Sequence, residues 1–261
     1  MERTALITGA SSGIGTAFAR LLAAEGRDLV LVARREERLK ALASEIGSKH
    51  GVSVEVLPAD LASEVGIQQV EKRITQGNDI DLLINNAGFG TRPKDFSELE
   101  LGKQLDMVSV HILASMRFIK AALPGMIARK HGGIINVSSV AAFVPIIGNA
   151  TYCASKAFLA AFSRVLSAEL KGTKVKVQIL CPGYTRTEFH EIQEYKDINF
   201  KARTPGFIWM SAEQVAAKSL KSLKRGGLYC IPGLKNKAIV TLCKTGVAAP
   251  VANSFVSHFR R

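Results

Sequence analysis

The stretch "TALITGASSGIGTAFARLLAAEG", residues 4–26, joins an apolar run to a helical pattern through a glycine-rich turn. We expect Gly9 to allow the tight turn, Gly13 to let backbone approach a pyrophosphate, and Gly15 to let the helix pack on the strand. Backbone N–H groups at the start of a helix favour phosphate. The stretch therefore predicts a strand–turn–helix unit that binds a nucleotide, with these contacting residues: Gly9, Ser11, Ser12, Gly13, Ile14 and Gly15.

Beyond this unit, short apolar runs alternate with helical patterns along the chain. The runs are continuous in Val, Ile and Leu, as expected when both faces of a sheet are covered. The longest helix is predicted roughly over 98–131, with an interruption at Pro124. The pattern indicates an α/β fold with a doubly wound parallel sheet of the Rossmann type. We assign residues 1–261 to one domain, with 188–210 and 235–261 as additions to the alternation.

The composition is that of a globular protein with a substantial core, since 47% of the 261 residues are hydrophobic. The four cysteines show neither CxxC pairing nor clustering with histidine, so no metal site is expected. The opening residues lack the features of a secretory signal, and no run of about 18 apolar residues is present. We therefore expect a cytoplasmic protein.

Positive charge is concentrated near the carboxyl end of the chain. The net charge is +13, and no acidic residue follows Glu213. Nucleic acid is not an expected partner, because aromatic interleaving and a recognisable binding module are missing. The alternatives are a solvated basic face, packing on the body or on a partner subunit, and weak peripheral contact with an anionic membrane. Nine cations carry the excess: Lys218, Lys221, Lys224, Arg225, Lys235, Lys237, Lys244, Arg260 and Arg261.

The end of the second strand reads "VARREE", residues 32–37. Dinucleotide sites usually carry an acid about 20 residues past the glycines, where it binds the adenosine ribose diol. Here Arg34 and Arg35 stand instead, and a guanidinium can grip a ribose 2′-phosphate. The sequence favours NADP(H) over NAD(H), the alternative being two solvated arginines.

"TYCASKAFLAAF", residues 151–162, places Tyr152 one helical turn before Lys156, so that both side chains share a face. A neighbouring ammonium favours phenolate, and we expect Lys156 to lower the pKa of Tyr152. The phenol could then exchange a proton with a carbonyl or alcohol oxygen. Ser139, thirteen residues ahead of Tyr152, would hold the same oxygen.

With these residues in view, the chain resembles the short-chain dehydrogenase/reductase family over roughly residues 3–187. The resemblance rests on "TGASSGIG", on "NNAG", on the spacing of Ser139, Tyr152 and Lys156, and on "PGYTRT". It implies that Asn86 supports the cofactor strand, Asp60 contacts adenine, Lys156 also binds the nicotinamide ribose, and Thr187 lies by the carboxamide. The other cofactor-binding positions that it implies are Ala87, Gly88, Tyr152, Pro182, Gly183 and Thr185.

One position departs from the family pattern. The family usually places an asparagine in the long fourth helix, where it helps to hold a water that links the lysine to solvent. Here "MVSVHILASM" places His111 at that site. A histidine can also bind water and relay protons, so His111 is a candidate member of the catalytic set. The alternative is a buried or capping histidine.

The resemblance implies an oxidoreductase in which 188–210 forms a lid over the substrate. The large apolar residues of that segment favour a lipophilic ketone or aldehyde, although ordinary lid packing would need the same residues. Family members commonly pair through helices matching 98–131 and 151–172, so a homodimer or homotetramer is expected. Phe158, Phe162 and Leu166 recur there at helical spacing. The rival functions are a non-catalytic dinucleotide sensor and a basic-surface lipid-binding protein.

Overall fold

The computed structural model describes residues 4–144, 146–190 and 206–244. Within them, seven parallel strands form one sheet in the order β3-β2-β1-β4-β5-β6-β9, and β7 and β8 form a separate parallel pair. The strands are β1 (Thr4–Thr8), β2 (Asp28–Ala33), β3 (Val54–Pro58), β4 (Ile80–Asn85), β5 (Gly132–Val137), β6 (Val175–Leu180), β7 (Thr185–Arg186), β8 (Met210–Ser211) and β9 (Tyr229–Cys230).

Helices cover both faces of this sheet, and the prediction of a doubly wound parallel α/β fold is confirmed. Alternate residues of β1 enter two different cores: Ile7 packs with α1, α2 and α7, and Leu6 packs with α3, α5 and α6. The helices are α1 (Gly13–Ala24), α2 (Glu36–His50), α3 (Glu64–Gly77), α4 (Leu101–Val108), α5 (Ala114–Ala128), α6 (Ala150–Glu169), α7 (Ala212–Lys224) and α8 (Leu234–Lys244).

The strand order reverses between β1 and β4, and this reversal positions the site. On one side the chain runs outward through β2 and β3, and on the other through β5, β6 and β9. A crevice opens at such a point, at the carboxyl ends of the strands. The glycine turn follows β1, and the "NNAG" segment begins at Asn85, the last residue of β4, so both lie at the crevice.

The long helix differs from the prediction in where it is irregular. A π-helical turn, Ser109–Leu113, joins α4 to α5, while Pro124 lies inside α5 without ending it. The predicted interruption at Pro124 was therefore wrong. Burial of Ala122 and Met126 in the core under α5 outweighs the hydrogen bond that the proline cannot make. The irregular turn instead surrounds His111, which it places in the interior.

This helix, Leu101–Ala128, is also the one in the described part of the chain that is long and apolar enough to cross a membrane. Its most apolar window is 50% buried inside the protein. Phe118 and Met126 are fully enclosed there, in the core beneath the sheet. Packing against the sheet therefore accounts for the apolar character of the helix.

The described part of the C-terminal extension packs on the body. In α8 the side chains of Asn236 and Val240 are buried, and Asn236 Nδ2 donates to Pro232 O at 2.7 Å. Most of the predicted substrate lid, 191–205, and the tail 245–261 lie outside the described residues. The assignment of all 261 residues to one domain stays a prediction.

Candidate active site

The glycine turn is shaped by backbone that leaves no room for side chains. Gly9 has a φ of 68°, a conformation that favours glycine. A Cβ on Gly15 would lie 2.3 Å from Gly9 O, so this helix position also requires glycine. Ser12 is the N-cap of α1, yet no side chain caps the first turn. The turn therefore fits the pyrophosphate of a dinucleotide, because backbone donors are close-packed and uncapped.

Asn86 fixes the glycine turn to the end of β4. Its Nδ2 donates to Thr8 O at 2.8 Å and to Gly9 O at 3.2 Å. In return, Thr8 Oγ1 accepts from the backbone N–H groups of Asn86 and Ala87, both at 2.9 Å. Asn86 thus lies where the resemblance implied, as a support for the turn. The arrangement ties the two strands at the switch point to each other.

A charged cluster lies beside the turn, at the start of α2. Arg35 donates from Nε and Nη2 to Ser11 Oγ at 3.2 and 3.1 Å. Its Nη1 donates to Glu188 at 2.8 Å, and Arg38 Nη1 donates to the other oxygen of the same carboxylate at 2.5 Å. The hydrogen bond from Arg35 lowers the pKa of Glu188 below its ordinary value. Arg34 is exposed and takes no part in this cluster.

Arg38 was missed at the sequence level, although its spacing carried a signal. Residues three apart in a helix lie on the same face, so Arg38 follows Arg35 at the first turn of α2. Glu188 was included only as part of the predicted lid. Its role in the cluster could not be found from the sequence, because 150 residues separate it from Arg38.

The other predicted cofactor residues line the same edge. Asp60 follows β3, and its Oδ1 accepts from Ala62 N at 3.1 Å. The loop after β6 approaches from the opposite side, where a Cβ on Gly13 would lie 2.8 Å from the Thr187 methyl carbon. In that loop Thr185 is buried and donates to Gly183 O at 3.0 Å, and Pro182 O accepts from Val140 N at 3.0 Å.

Ser139, Tyr152 and Lys156 meet where β5 ends and α6 begins. Ser139 Oγ accepts from Ala141 N at 3.1 Å and is also hydrogen-bonded to the Tyr152 side chain. Lys156 is buried, and its Nζ donates to Val137 O at 3.0 Å. The same Nζ lies 5.7 Å from the centroid of the Tyr152 ring. A hydroxyl, a phenol and an ammonium therefore converge on one small region.

The electrostatics of this group reverse one prediction. Burial raises the pKa of Tyr152 to about 12, although the hydrogen bond with Ser139 acts in the opposite direction. Burial likewise lowers the pKa of Lys156 to about 8. The expected lowering of the Tyr152 pKa was therefore wrong for the protein alone, because the loss of water on burial is the largest contribution and raises it. At neutral pH the phenol keeps its proton.

His111 is fully buried and holds two parts of the site together. Its Nε2 accepts from Phe89 N at 3.1 Å, so the ring proton lies on Nδ1, which donates to Ser155 Oγ at 2.8 Å. Ser155 Oγ donates in turn to Tyr152 O at 2.9 Å. Burial, with the Lys156 charge, lowers the pKa of His111 well below its ordinary value, so the ring is neutral.

A proton relay through His111 would need a ring nitrogen that is available to water. Both nitrogens are engaged by protein groups here, so the geometry favours the buried alternative, a brace between the β4 loop and the catalytic helix. Gly88 allows the ring to come this close, since a Cβ there would lie 2.8 Å from His111 Nε2 and 3.3 Å from Lys156 Nζ. Ser155, the second partner of His111, carried no signal in the sequence.

Aromatic rings surround the phenol. Phe189 lies with its ring centroid 6.0 Å from that of Tyr152, and His111 separates Tyr152 from Phe89. Further along, Tyr184 packs on Trp209 with centroids 5.2 Å apart. The Tyr152 ring therefore lies between one apolar ring, Phe189, and the ring of His111.

Comparison with known proteins agrees with this geometry. The family described as short chain dehydrogenase matches residues 3–197. The very-long-chain 3-oxoacyl-CoA reductase of Phaeosphaeria nodorum is 35% identical over 85% of this chain and 64% of its own length. A short-chain dehydrogenase from Sphingobium yanoikuyae, solved in complex with NADPH, superimposes with a TM-score of 0.82 at 33% identity, covering 95% of each chain.

A further similarity is to a protein named as inactive. The human inactive hydroxysteroid dehydrogenase-like protein 1 is 36% identical over 71% of this chain and 56% of its own length. The chain thus spans 56–64% of the length of these two curated relatives. Sequence similarity by itself therefore does not separate a catalytic from a non-catalytic protein at this level of identity.

Proposed function

The chain belongs to the short-chain dehydrogenase/reductase family, and from this premise we propose that it is an NADPH-dependent reductase of lipophilic ketones or aldehydes. Membership of the family supports an oxidoreductase that uses a nicotinamide dinucleotide. The observation that supports carbonyl reduction is the convergence of Ser139, Tyr152 and Lys156 beside the crevice at the switch point.

Each of the three side chains has a distinct task. A nicotinamide cofactor bound in the crevice would supply the hydride for the carbonyl carbon. Tyr152 donates its proton to the carbonyl oxygen, and its raised pKa keeps it in the donor form at neutral pH. The Ser139 hydroxyl, which accepts from backbone and is hydrogen-bonded to Tyr152 in the protein alone, turns its hydrogen to the same carbonyl oxygen when the substrate binds. Lys156, protonated below about pH 8, stabilises the phenolate that proton transfer leaves behind.

NADPH is the cofactor that the charges favour. Two guanidinium groups, from Arg35 and Arg38, face one carboxylate beside Ser11, and a 2′-phosphate presents the same acceptor chemistry. Directly after β2, where an acid would repel that phosphate, the chain carries Arg34 and Arg35. The Sphingobium relative was solved with NADPH, which supports this choice.

A lipophilic carbonyl compound is the proposed substrate class. Phe189 lies beside Tyr152, and this apolar ring next to the proton donor supports an apolar substrate. The name of the Phaeosphaeria relative, a very-long-chain 3-oxoacyl-CoA reductase, supports a ketone attached to a long apolar chain. Small polar sugars fit this lining less well.

Cofactor oxidation tests the proposal. NADPH and NADH are each supplied with ketones and aldehydes of rising chain length, and absorbance of the reduced cofactor is followed. We expect turnover with NADPH that improves with chain length and falls in the Tyr152→Phe variant. A wild-type protein that prefers NADH, or that acts only on short polar substrates, would contradict the proposal.

The similarity to an inactive relative favours one second candidate, a dinucleotide sensor. A sensor needs the glycine turn but no proton donor, whereas Tyr152, Ser139 and Lys156 all stand together here. Tight binding of NADPH without turnover on any carbonyl tested, and without any effect of Tyr152→Phe, would identify the sensor.

We also propose that the protein is a cytoplasmic homodimer or homotetramer that pairs through α5 and α6. Met116, Phe158 and Val165 are exposed at 38%, 36% and 54%, and Phe158 stacks on Phe162 with centroids 5.8 Å apart. Leu166 belongs to the protein's own core, which corrects its inclusion in the predicted contact stripe. Four free cysteines support a reducing compartment. Light scattering that gives a 28.1 kDa particle would rule out assembly.

A further inference from the structure

Three consecutive residues, 187–189, contact three different parts of the site. The Thr187 methyl group lies against Gly13 in the glycine turn. Glu188 binds the two arginines at the start of α2. Phe189 lies beside the Tyr152 ring. A change at Glu188 therefore acts on a segment that also touches the phosphate turn and the proton donor.

The Glu188 carboxylate is bound by the guanidinium groups of Arg35 and Arg38, which we assign to the 2′-phosphate of the cofactor. A guanidinium recognises carboxylate and phosphate by the same bidentate geometry. Arg35 and Arg38 each donate to a different oxygen of Glu188, at 2.8 and 2.5 Å. Ser11 accepts from the remaining face of Arg35, which orients the guanidinium from the glycine turn. A 2′-phosphate that reached these arginines would meet a competing anion of the chain itself.

We propose that Glu188 is an internal competitor for the cofactor 2′-phosphate, which must displace its carboxylate from Arg35 and Arg38 to bind. Glu188 acts on the cofactor through the arginines and is therefore a positioning residue for cofactor selection. The inference rests on the proposed preference for NADPH. It goes beyond that preference, because it assigns a residue that weakens binding of the favoured cofactor and releases the 187–189 segment when the cofactor binds.

Because the ion pair is partly exposed to solvent, a phosphate can replace the Glu188 carboxylate. Arg35 and Glu188 side chains are 44% and 45% exposed, so water can replace either partner. Exposed ion pairs contribute little to stability, so a phosphate dianion bound by two guanidinium groups can replace the carboxylate. The competitor thus reduces affinity for the phosphate without preventing its binding.

The chain offers a matched control. Arg20 and Glu45 form a bidentate pair between α1 and α2, with both hydrogen bonds at 2.8 Å. Their side chains are 48% and 47% exposed, close to the values for the Arg35–Glu188 pair. Glu45→Gln removes the same negative charge and the same kind of ion pair, but away from the glycine turn. It separates a local effect from a change in total charge.

Calorimetric titration of the full-length protein tests the proposal with two fragments of the cofactor. The probes are 2′,5′-ADP, which carries the 2′-phosphate, and 5′-AMP, which does not. Wild type, Glu188→Gln and Glu45→Gln are compared at constant ionic strength, and thermal melting checks that the variants are folded. We expect Glu188→Gln to bind 2′,5′-ADP about threefold to tenfold more tightly than wild type, with 5′-AMP changed by less than about twofold.

Other outcomes would overturn the proposal. Unchanged or weaker binding of 2′,5′-ADP by Glu188→Gln would mean that Glu188 is neutral or holds the arginines in place for the phosphate. If Glu45→Gln binds 2′,5′-ADP more tightly by the same factor, the effect comes from the total charge of the protein and not from the position of Glu188. If neither wild type nor Glu188→Gln prefers 2′,5′-ADP to 5′-AMP, the arginines do not bind the phosphate and both proposals fail. A preference that appears only in Glu188→Gln would support the competitor and contradict NADPH selection by the wild type.

Discussion

The cofactor edge and the catalytic cluster differ in how exposed their side chains are to solvent and in what holds them in place. At the cofactor edge, Arg35 and Glu188 are charged, paired and nearly half exposed, at 44% and 45%. At the catalytic cluster, His111 and Lys156 are 0% and 4% exposed and are held by hydrogen bonds to neighbouring groups. The first half can exchange its partners with solvent and ligand, whereas the second is fixed by the interior.

This difference decides which physical effect governs each half. Among exposed charges, water screens the interaction, and attraction between neighbours sets the direction of a pKa shift, as for Glu188 beside Arg35. In the interior, the loss of water is the largest contribution. It raises the pKa of Tyr152, although a lysine lies one helical turn away. Solvent exposure therefore decides whether a neighbouring charge or the loss of water sets the direction of a pKa shift in this site.

The largest expected effect comes from removing the buried proton donor. Tyr152→Phe should lower turnover roughly 100-fold or more, the scale of a lost general acid, and leave cofactor binding unchanged. Steady-state kinetics and calorimetric titration with NADPH measure the two quantities separately. Turnover close to that of wild type would remove Tyr152 from the mechanism and make the buried cluster a structural feature.

The next effect tests the exposed half. Replacing both Arg35 and Arg38 by serine should reduce the preference for NADPH over NADH about tenfold or more, because charge-assisted hydrogen bonds to the phosphate are lost. The measurement is the ratio of kcat/KM values with the two cofactors. Arg34→Ser is the control, since Arg34 is exposed and lies outside the cluster. A larger effect from Arg34 than from the pair would transfer the role to Arg34.

The sequence predicts the parts of the site that short motifs and the order of the strands fix. The glycine turn, the support from Asn86 and the meeting of Ser139 with Tyr152 follow from short motifs on a regular strand–helix alternation. Their geometry is local, or fixed by the order of strands, so residue type and spacing carry it. The same holds for the strands, whose apolar runs reflect burial on both faces.

The features that were missed depend on contacts between distant segments. Glu188 meets Arg38 across 150 residues, and Ser155 meets His111 across 44. The π-helical turn at His111 was not predicted from the sequence either. Burial, which sets the pKa values of Tyr152 and Lys156, is also a property of the whole fold.

His111 provides a smaller and more specific test of the buried half. His111→Ala should lower the free energy of unfolding by about 1–3 kcal/mol, because Phe89 N–H and Ser155 Oγ lose a buried partner. Turnover should fall several-fold as Tyr152 loses its support. Urea unfolding and steady-state kinetics measure the two effects.

The shape of the pH profile distinguishes a brace from a relay. A neutral His111 with a strongly lowered pKa contributes no limb to the kcat/KM profile near pH 6.5. The profiles of wild type and His111→Asn should therefore have the same shape between about pH 5.5 and 7.5, even where their heights differ. A limb near pH 6.5 that disappears in His111→Asn would show that the histidine titrates, as the relay requires.

The smallest expected effect concerns what the buried ammonium does to stability. The pKa of Lys156 falls from an ordinary value near 10.5 to about 8 in the folded protein, because burial disfavours its charge. Between about pH 8 and 10 the unfolded chain therefore binds more protons than the folded one, and the free energy of unfolding rises with pH over this interval. Below pH 8 the ammonium lowers stability by a constant amount.

Lys156→Met removes this buried charge but keeps the apolar stem. The variant should be inactive and yet more stable than wild type at pH 7, by about 1 kcal/mol once the lost hydrogen bond to Val137 O is included. The difference should shrink at pH 9.5, where wild type no longer holds the full charge. Urea unfolding followed through Trp209 fluorescence gives both values, with exposed Lys221→Met as the control. A variant that is less stable at pH 7, with a deficit independent of pH, would show that Lys156 is retained for packing. A gain that fades with pH would instead show that the site keeps an unfavourable charge because its chemistry needs one.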